Sequence, residues 1–445
     1  MAHIALIMTG LTGSLNSSFE IASKLISEGH TITYLSVLDV KEKVEYYGIK
    51  YVQLPKVHFS FSHVNTEIKN ASWIKKFRYH LKNKPEIYTE SRRILGLDKF
   101  EKIIRALKID KAIIDQELHD LIFVCFKFKI PTTLFCSWFF NDIEYGLKLP
   151  PMRTDIVPGE GFRGSALGIL KSWIIIKLRV YARIILLKLT FKGYRRVTLL
   201  KYAKENDFPI KTLISSNLPE LFVYTNLPII SLTMKEMDFP HKQVKNFIYA
   251  GPMVHEKREI KTNQKINEII DDVVKIKQET KRKLIYCSAG SILTPELSFI
   301  NKVIQAVEKD DNWLLIISLG GKLTADTFKT KSKNIYLLDW VPQMKVLKYA
   351  DCCITHAGIN TINECIHYAV PMLAYSGKVA DENGNAARVH YHGLGIMGDK
   401  DKDSSLEIRN NIKRIFDEPS FIEKAQFFSK TYQEYRKKEL SQFLN

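Results

Sequence analysis

The chain has 445 residues, 45% hydrophobic and 26% charged, a balance that excludes collagen-like and disordered classes and suits two globular domains. Lysine and arginine number 66 against 48 aspartates and glutamates, a net charge of +18 that draws anions of some kind. The excess is spread along the chain without basic arms or a recognition motif, so no nucleic-acid partner is expected.

The chain opens with the apolar run His3–Met8, a Gly-Leu-Thr-Gly turn, an amphipathic run from Ser18 to Ser27 and a second apolar run, Thr31–Val37. Strand, glycine turn, helix and strand form a βαβ unit of a parallel sheet. The opening reads as a first strand and not as a signal peptide. Ala112–Asp115 and Thr132–Phe135 predict later strands of the same sheet. A second series of β-rich runs starts near Lys283, namely LIYCS, WLLIISLG, IYLLDW, CCITH and PMLAY, separated by helical stretches. The turn and charge shift in AGPMVHEKRE place a boundary near Tyr249–Lys257. The expected organisation is residues 1–250, then 251–418, then a helical segment over 419–445.

Gly10 and Gly13 do not complete G-x-G-x-x-G, which argues against a nicotinamide cofactor. Cys125, Cys136, Cys287, Cys352, Cys353 and Cys365 sit mostly in apolar runs and lack metal-ligand spacing. They read as reduced core thiols of a cytoplasmic protein.

The chemistry concentrates between Asp339 and Gly395, in DWVPQ, THAGINTINECIHYAVPM and ADENGNAARVHYHGLG. Cys353–Thr355 ends a strand, His356-Ala357-Gly358 makes a tight turn, and Ile359 opens a helix. A helix N-terminus offers unpaired N–H groups and a positive dipole, which suit a diphosphate. Asn360 and Thr361 add side-chain donors there, and His356 adds another or a charge. Trp340 offers a flat platform for a base, and Glu364, one helical turn beyond Asn360, can accept from ribose hydroxyls.

These runs resemble the signature of the UDP-glycosyltransferases, the family 1 glycosyltransferases of GT-B fold. The resemblance implies an α/β architecture of two Rossmann-like, doubly wound domains facing a cleft, with a C-terminal helix crossing back to the first. It implies that Trp340 stacks on the base and Val341 meets its edge. Gln343 and Glu364 then bind ribose, and His356, Gly358, Asn360 and Thr361 hold the diphosphate. Gly290 and Ser291 match a further phosphate-side turn, while Asp381 and Glu382, followed by Asn385, meet the sugar. Two departures stand out. Ala357 replaces a glycine, which the turn tolerates if its φ is negative. Glu382 replaces a glutamine and can only accept hydrogen bonds, leaving the sugar open.

In the family a histidine in the first βα turn deprotonates the acceptor, oriented by a buried aspartate. Here that turn reads Gly13-Ser14-Leu15-Asn16, and an unperturbed Ser14 hydroxyl is no general base. Three alternatives stay open: Asp115, matching the partner carboxylate, takes the proton itself; His119 substitutes; or the acceptor is already nucleophilic. The implied reaction is inverting sugar transfer from a UDP-sugar co-substrate to a small lipophilic acceptor, with no cofactor and no metal. A non-catalytic nucleotide-sugar-binding protein is the competing class.

Between Glu160 and Glu205 no acidic residue occurs. Lys171, Lys177, Arg179, Arg183 and Lys188 interrupt this apolar, basic run too often for a membrane span. It forms either helices lining the acceptor cleft or a peripheral contact with an anionic membrane at its cytoplasmic face.

Overall fold

The computed structural model describes residues 1–58, 71–143, 146–191, 193–215, 222–256, 263–288, 296–321, 323–328, 330 and 332–444, the side chains of Thr12 and Ser14 excepted. Among these residues seven strands make the first sheet: β1 (His3–Met8), β2 (Thr31–Ser36), β3 (Lys50–Gln53), β4 (Lys111–Asp115), β5 (Thr132–Cys136), β6 (Ile229–Ser231) and β7 (Phe247–Tyr249). Six make the second: β8 (Lys283–Ser288), β9 (Trp313–Ser318), β10 (Ile335–Leu338), β11 (Cys352–Thr355), β12 (Met372–Ala374) and β13 (Gly395–Met397). Their orders are 3-2-1-4-5-6-7 and 10-9-8-11-12-13, and every pairing is parallel. Such sheets need helices on both faces, which is why the central strands are apolar throughout.

The two-residue period of a strand divides the core. Ala5 and Ile7 face one apolar cluster and Ile4, Leu6 and Met8 the other. Leu284 and Tyr286 of β8 face one cluster of the second sheet, and Ile285 and Cys287 face the opposite one. Both domains are therefore doubly wound. The strand order reverses between β1 and β4 and between β8 and β11, so each sheet opens a crevice beyond the carboxyl ends of those strands. All six cysteines are buried and free.

The first helix runs Thr12–Ser27, starting a turn and a half earlier than the apolar period of its sequence indicates. The C-terminal helix Pro419–Arg436 leaves the second domain, and the tail beyond it crosses to the first. There Leu440 and Leu444 join the core cluster around Ile4 and Leu6. Lys24 donates to the Arg436 carbonyl at 2.7 Å, and Glu28 accepts from the Leu440 and Ser441 amides, each at 2.7 Å.

A buried ion pair joins the domains. Arg388, in the helix Glu382–Tyr391, donates to Asp238 Oδ1 through Nε at 2.9 Å and a terminal nitrogen at 2.6 Å. Its guanidinium lies between Phe139 and Phe239, 4.4 and 4.3 Å from the ring centroids. The Tyr249 hydroxyl donates to the other oxygen of Asp238 at 2.5 Å. Burial opposes ionisation of Asp238, but Arg388 and the donors around it outweigh burial and hold the carboxyl down to about 2.

Arg388→Ala, which strands this buried carboxylate, is expected to cost about 3–5 kcal/mol in chemical denaturation. Because the Asp238 value is depressed on folding, its contribution is complete above the unfolded value near ~3.9 and is lost as pH falls toward the folded one. Asp238→Asn should flatten that acid limb of the stability profile.

Candidate functional site at the domain cleft

The two crevices face each other. After β1 the chain turns through Gly10 at φ 83, where an added Cβ would lie 2.3 Å from Ser36 Oγ, so only glycine fits. In the second domain Gly358 caps the helix Ile359–His367. Asn360 Nδ2, in its first turn, donates to the Gly13 carbonyl in the first turn of the first helix at 2.8 Å. Neither helix carries an acidic residue in its first turn. Two positive helix ends thus meet with no side-chain anion of their own between them.

Asp115 ends β4 beside this meeting point. It accepts from Thr9 Oγ1 and from the Glu117 amide, each at 3.1 Å. Burial pushes its carboxyl up, against the pull of those donors. The charges of Asp115 and of Asp381, one from each domain, both reach the Cys136 thiol, which burial first and these charges second push up to about 12. The Ser14 side chain lies outside the described residues. His119 is turned elsewhere: Nδ1 shares a hydrogen bond with Tyr224 Oη at 3.0 Å and the ring packs edge-on against Phe222. Burial, with the Arg195 charge, lowers it to about 3, so it is neutral at physiological pH.

On the second domain three of the expected residues, Gln343, Thr361 and Glu364, converge. Gln343 Oε1 accepts from the Tyr286 and Ser288 hydroxyls, both at 3.1 Å. With its orientation so fixed, Nε2 donates to Glu364 Oε2 at 2.5 Å and to Thr361 Oγ1 at 3.3 Å. Trp340, two residues beyond β10, is 42% exposed, whereas Val341 is buried. Gly290 and Ser291 lie outside the described residues. Tyr286 and Ser288 are absent from the sequence-based set, although a hydroxyl at the carboxyl end of an otherwise apolar strand was a usable signal.

His356 Nε2 lies 4.0 Å from Glu382 Oε1, and Nδ1 is buried with no partner among the described residues. Burial and the Lys400 charge lower this histidine to about 4, so here it is a neutral hydrogen-bonding group. Asp381 accepts from Asn385 Nδ2 at 2.8 Å, and the same amide reaches the Ala357 carbonyl at 3.1 Å. Burial raises both Asp381 and Glu382. Glu382 is seated against Gly377, where an added Cβ would lie 2.5 Å from its Oε2.

The turn itself departs from expectation. Ala357 has φ 67, in the left-handed region, not a negative value. The glycine-to-alanine replacement is therefore strained, and the strain is held by Thr355 Oγ1, which accepts from the Ala357 amide at 3.2 Å, and by Asn385 on its carbonyl. Ala357→Gly should leave the thermal unfolding midpoint unchanged or raised. Ala357→Val should cost about 2 kcal/mol, since a β-branched residue tolerates this φ least.

Comparison with known proteins follows the same lines. Oleandomycin glycosyltransferase of Streptomyces antibioticus is 33% identical over 114 residues, 26% of this chain and 26% of that one. Zeaxanthin glucosyltransferase of Pantoea ananas is 26% identical over 174 residues, 39% and 38% of the two. The chain thus aligns with well under two thirds of the length of these relatives. The crystal structure of the calicheamicin glycosyltransferase CalG4 superposes with a TM-score of 0.63 at 17% identity, covering 98% of this chain and 95% of that one, which establishes a shared GT-B fold. The family model described as UDP-glucoronosyl and UDP-glucosyl transferase matches residues 187–441, more than half of the chain. That match takes in the Gln343–Glu364 network, the turn at Ala357 and the carboxylates at 381 and 382, and the chain belongs to this family.

Proposed function

We propose that the protein transfers a sugar from a UDP-sugar to a small lipophilic acceptor with inversion at the anomeric carbon. The observation that carries this reading is the meeting of two helix N-termini in the cleft, beside a fixed Gln343–Glu364 pair. A diphosphate answers the positive end of the helix that opens at Ile359, with Asn360, Thr361, Gly358 and His356 as donors, and spreads no charge onto a metal. Glu364 and Gln343 then take the ribose, and the exposed face of Trp340 takes the base, with Val341 at its edge. Asp381 and Glu382 receive sugar hydroxyls.

Asp115 is the group we assign as base. Its raised carboxyl gains proton affinity from burial, as a base acting near neutral pH requires, and it lies at the crevice. A neutral His119 engaged with Tyr224 is a packing residue in this reading. The proton leaves the acceptor hydroxyl for Asp115 as the oxygen attacks the anomeric carbon and the bond to the diphosphate breaks.

The test is detection of UDP release and glycosylated product by mass spectrometry, across UDP-, TDP- and GDP-sugars with phenolic and lipid acceptors. Asp115→Asn should lower turnover about 10²–10⁴-fold with little change in UDP affinity. In the unaltered protein, activity should fall as pH drops through the raised Asp115 value, because the protonated carboxyl cannot accept. Unchanged turnover in Asp115→Asn would transfer the role elsewhere. Saturable UDP binding that survives Trp340→Ala undiminished would sink the nucleotide site.

A further inference from the structure

The helix Ala166–Leu189 is apolar on two sides, and only one of them packs. Gly168, Ile169 and Trp173 are its only buried residues, all near its start. Trp173 Nε1 donates to the Leu149 carbonyl at 2.9 Å, which anchors that end. From Ile174 to Leu189 no residue is buried, so about 24 Å of helix is held by a half-buried inner stripe of Ile176, Val180, Ile184 and Leu187. Beyond Trp173 this helix is therefore not buried, although one reading of the sequence expects it to be.

The outer stripe is the unusual part. Leu167, Ile174, Leu178, Tyr181, Ile185 and Leu189 follow the helical period on one face, and each is 48–69% exposed. A second stripe continues it. The helix Trp73–Lys82 has no buried residue, and Trp73, Ile74, Phe77 and Leu81 share one face at 41–60% exposure. The stripes join where the Trp73 indole donates to the Leu189 carbonyl at 2.9 Å. Ten large apolar side chains thus lie exposed along two helices joined at Trp73, and large exposed apolar patches mark interaction surfaces.

Charge identifies the partner. Lys177 and Lys188 flank the longer stripe and Lys171 sits within it, Arg179 and Arg183 lie further round that helix, and Lys75, Lys76, Arg78 and Lys82 occupy the rest of the shorter one, with no acidic residue in either helix. None of the five cations on the longer helix pairs with a carboxylate among the described residues. A second copy of this chain seated on the same face would set these cations against each other. No described helix is long and apolar enough to cross a membrane. Exposed apolar stripes on joined helices, accompanied by cations and no acidic side chain, match the interface of a bilayer carrying anionic lipid.

We propose that the outer faces of the helices Trp73–Lys82 and Ala166–Leu189 dock the protein on an anionic membrane surface. The apolar stripe enters the acyl boundary, the lysines and arginines meet phosphate headgroups, and the anchored end at Trp173 keeps the domain cleft close to the bilayer. The inference stands on exposure and charge and does not depend on which reaction the cleft supports.

The experiment is flotation of the full chain with vesicles of phosphatidylcholine alone and of phosphatidylcholine with phosphatidylglycerol. Binding is expected only to the phosphatidylglycerol vesicles at low salt, and it should be released as salt approaches about 1 M, where screening contracts to about 3 Å. The double variant Leu178→Asp, Ile185→Asp should lose more than about tenfold in binding, given the burial energy of two aliphatic side chains. Lys177→Ala or Lys188→Ala should each lose about fivefold. Thermal unfolding midpoint and UDP binding of these variants should match the unaltered chain, which separates lost docking from misfolding. Brominated lipid should quench tryptophan emission, and Trp73→Phe should remove most of that quenching. Absence of flotation at low salt overturns the proposal. So does undiminished binding of the double variant, or a concentration-dependent oligomer that the double variant abolishes while no vesicle is bound.

Discussion

The ion pair between Asp238 and Arg388 sets the frame for everything in the cleft. A carboxylate and a guanidinium so fully removed from water stabilise little against an apolar pair of equal volume, but each is intolerable without the other. That asymmetry specifies orientation: the helix that carries Arg388 must present its side to the loop that carries Asp238. Contacts that follow are close and unforgiving. The Met152 carbonyl would lie 2.1 Å from a Cβ at Gly384, so glycine alone lets the first domain approach this helix. Asn383 donates to the Arg153 carbonyl at 3.1 Å, adding a bond across the same seam. The helix starts at Glu382, immediately after Asp381, so the ion pair also fixes where the carboxylates at 381 and 382 stand.

Within that frame the two halves of the cleft differ in how much is prearranged. On the second domain, two hydroxyls hold the Gln343 carbonyl, and its amide is thereby aimed at Glu364. A ligand with vicinal hydroxyls meets groups already in place, and little ordering entropy remains to be lost. On the first domain, among the described residues, Thr9 and the Glu117 amide stabilise the charge of Asp115. Few donors and much burial leave a carboxylate basic, which is what the missing histidine of the first turn makes necessary in the proposed reaction. Strain sits at the junction between the halves, in the left-handed Ala357, where the turn hands over from β11 to the helix that follows.

The parts of this structure legible in the sequence are those governed by short-range rules. Central strands such as β8 and β9 are continuous apolar runs, and the turn at 356–358 announces a helix N-terminus by its residue types. Short strands of three or four residues, β3, β6, β7 and β13, carry too few positions to display a period. The helices between 73 and 107 were not visible either, because their apolar positions are interleaved with many cations. Pairings over long separations are hidden for a different reason. Arg388 bonds a residue 150 positions away and Asn360 one 347 positions away, and one sequence contains no signal for either. The sign of φ at Ala357 is equally silent, since alanine reads as a tolerant residue whichever side of the map it occupies.

The tail that crosses back has a mechanical consequence. The chain passes between the domains once after β7 and again beyond Arg436, where Leu440 and Leu444 are buried in the first domain. One covalent crossing is a universal joint and permits any swivel. Two crossings define a line, and rotation about that line is the motion that strains neither. A swing of one domain against the other that strains neither crossing is confined to that line, and the Asp238–Arg388 pair that joins the same domains opposes it.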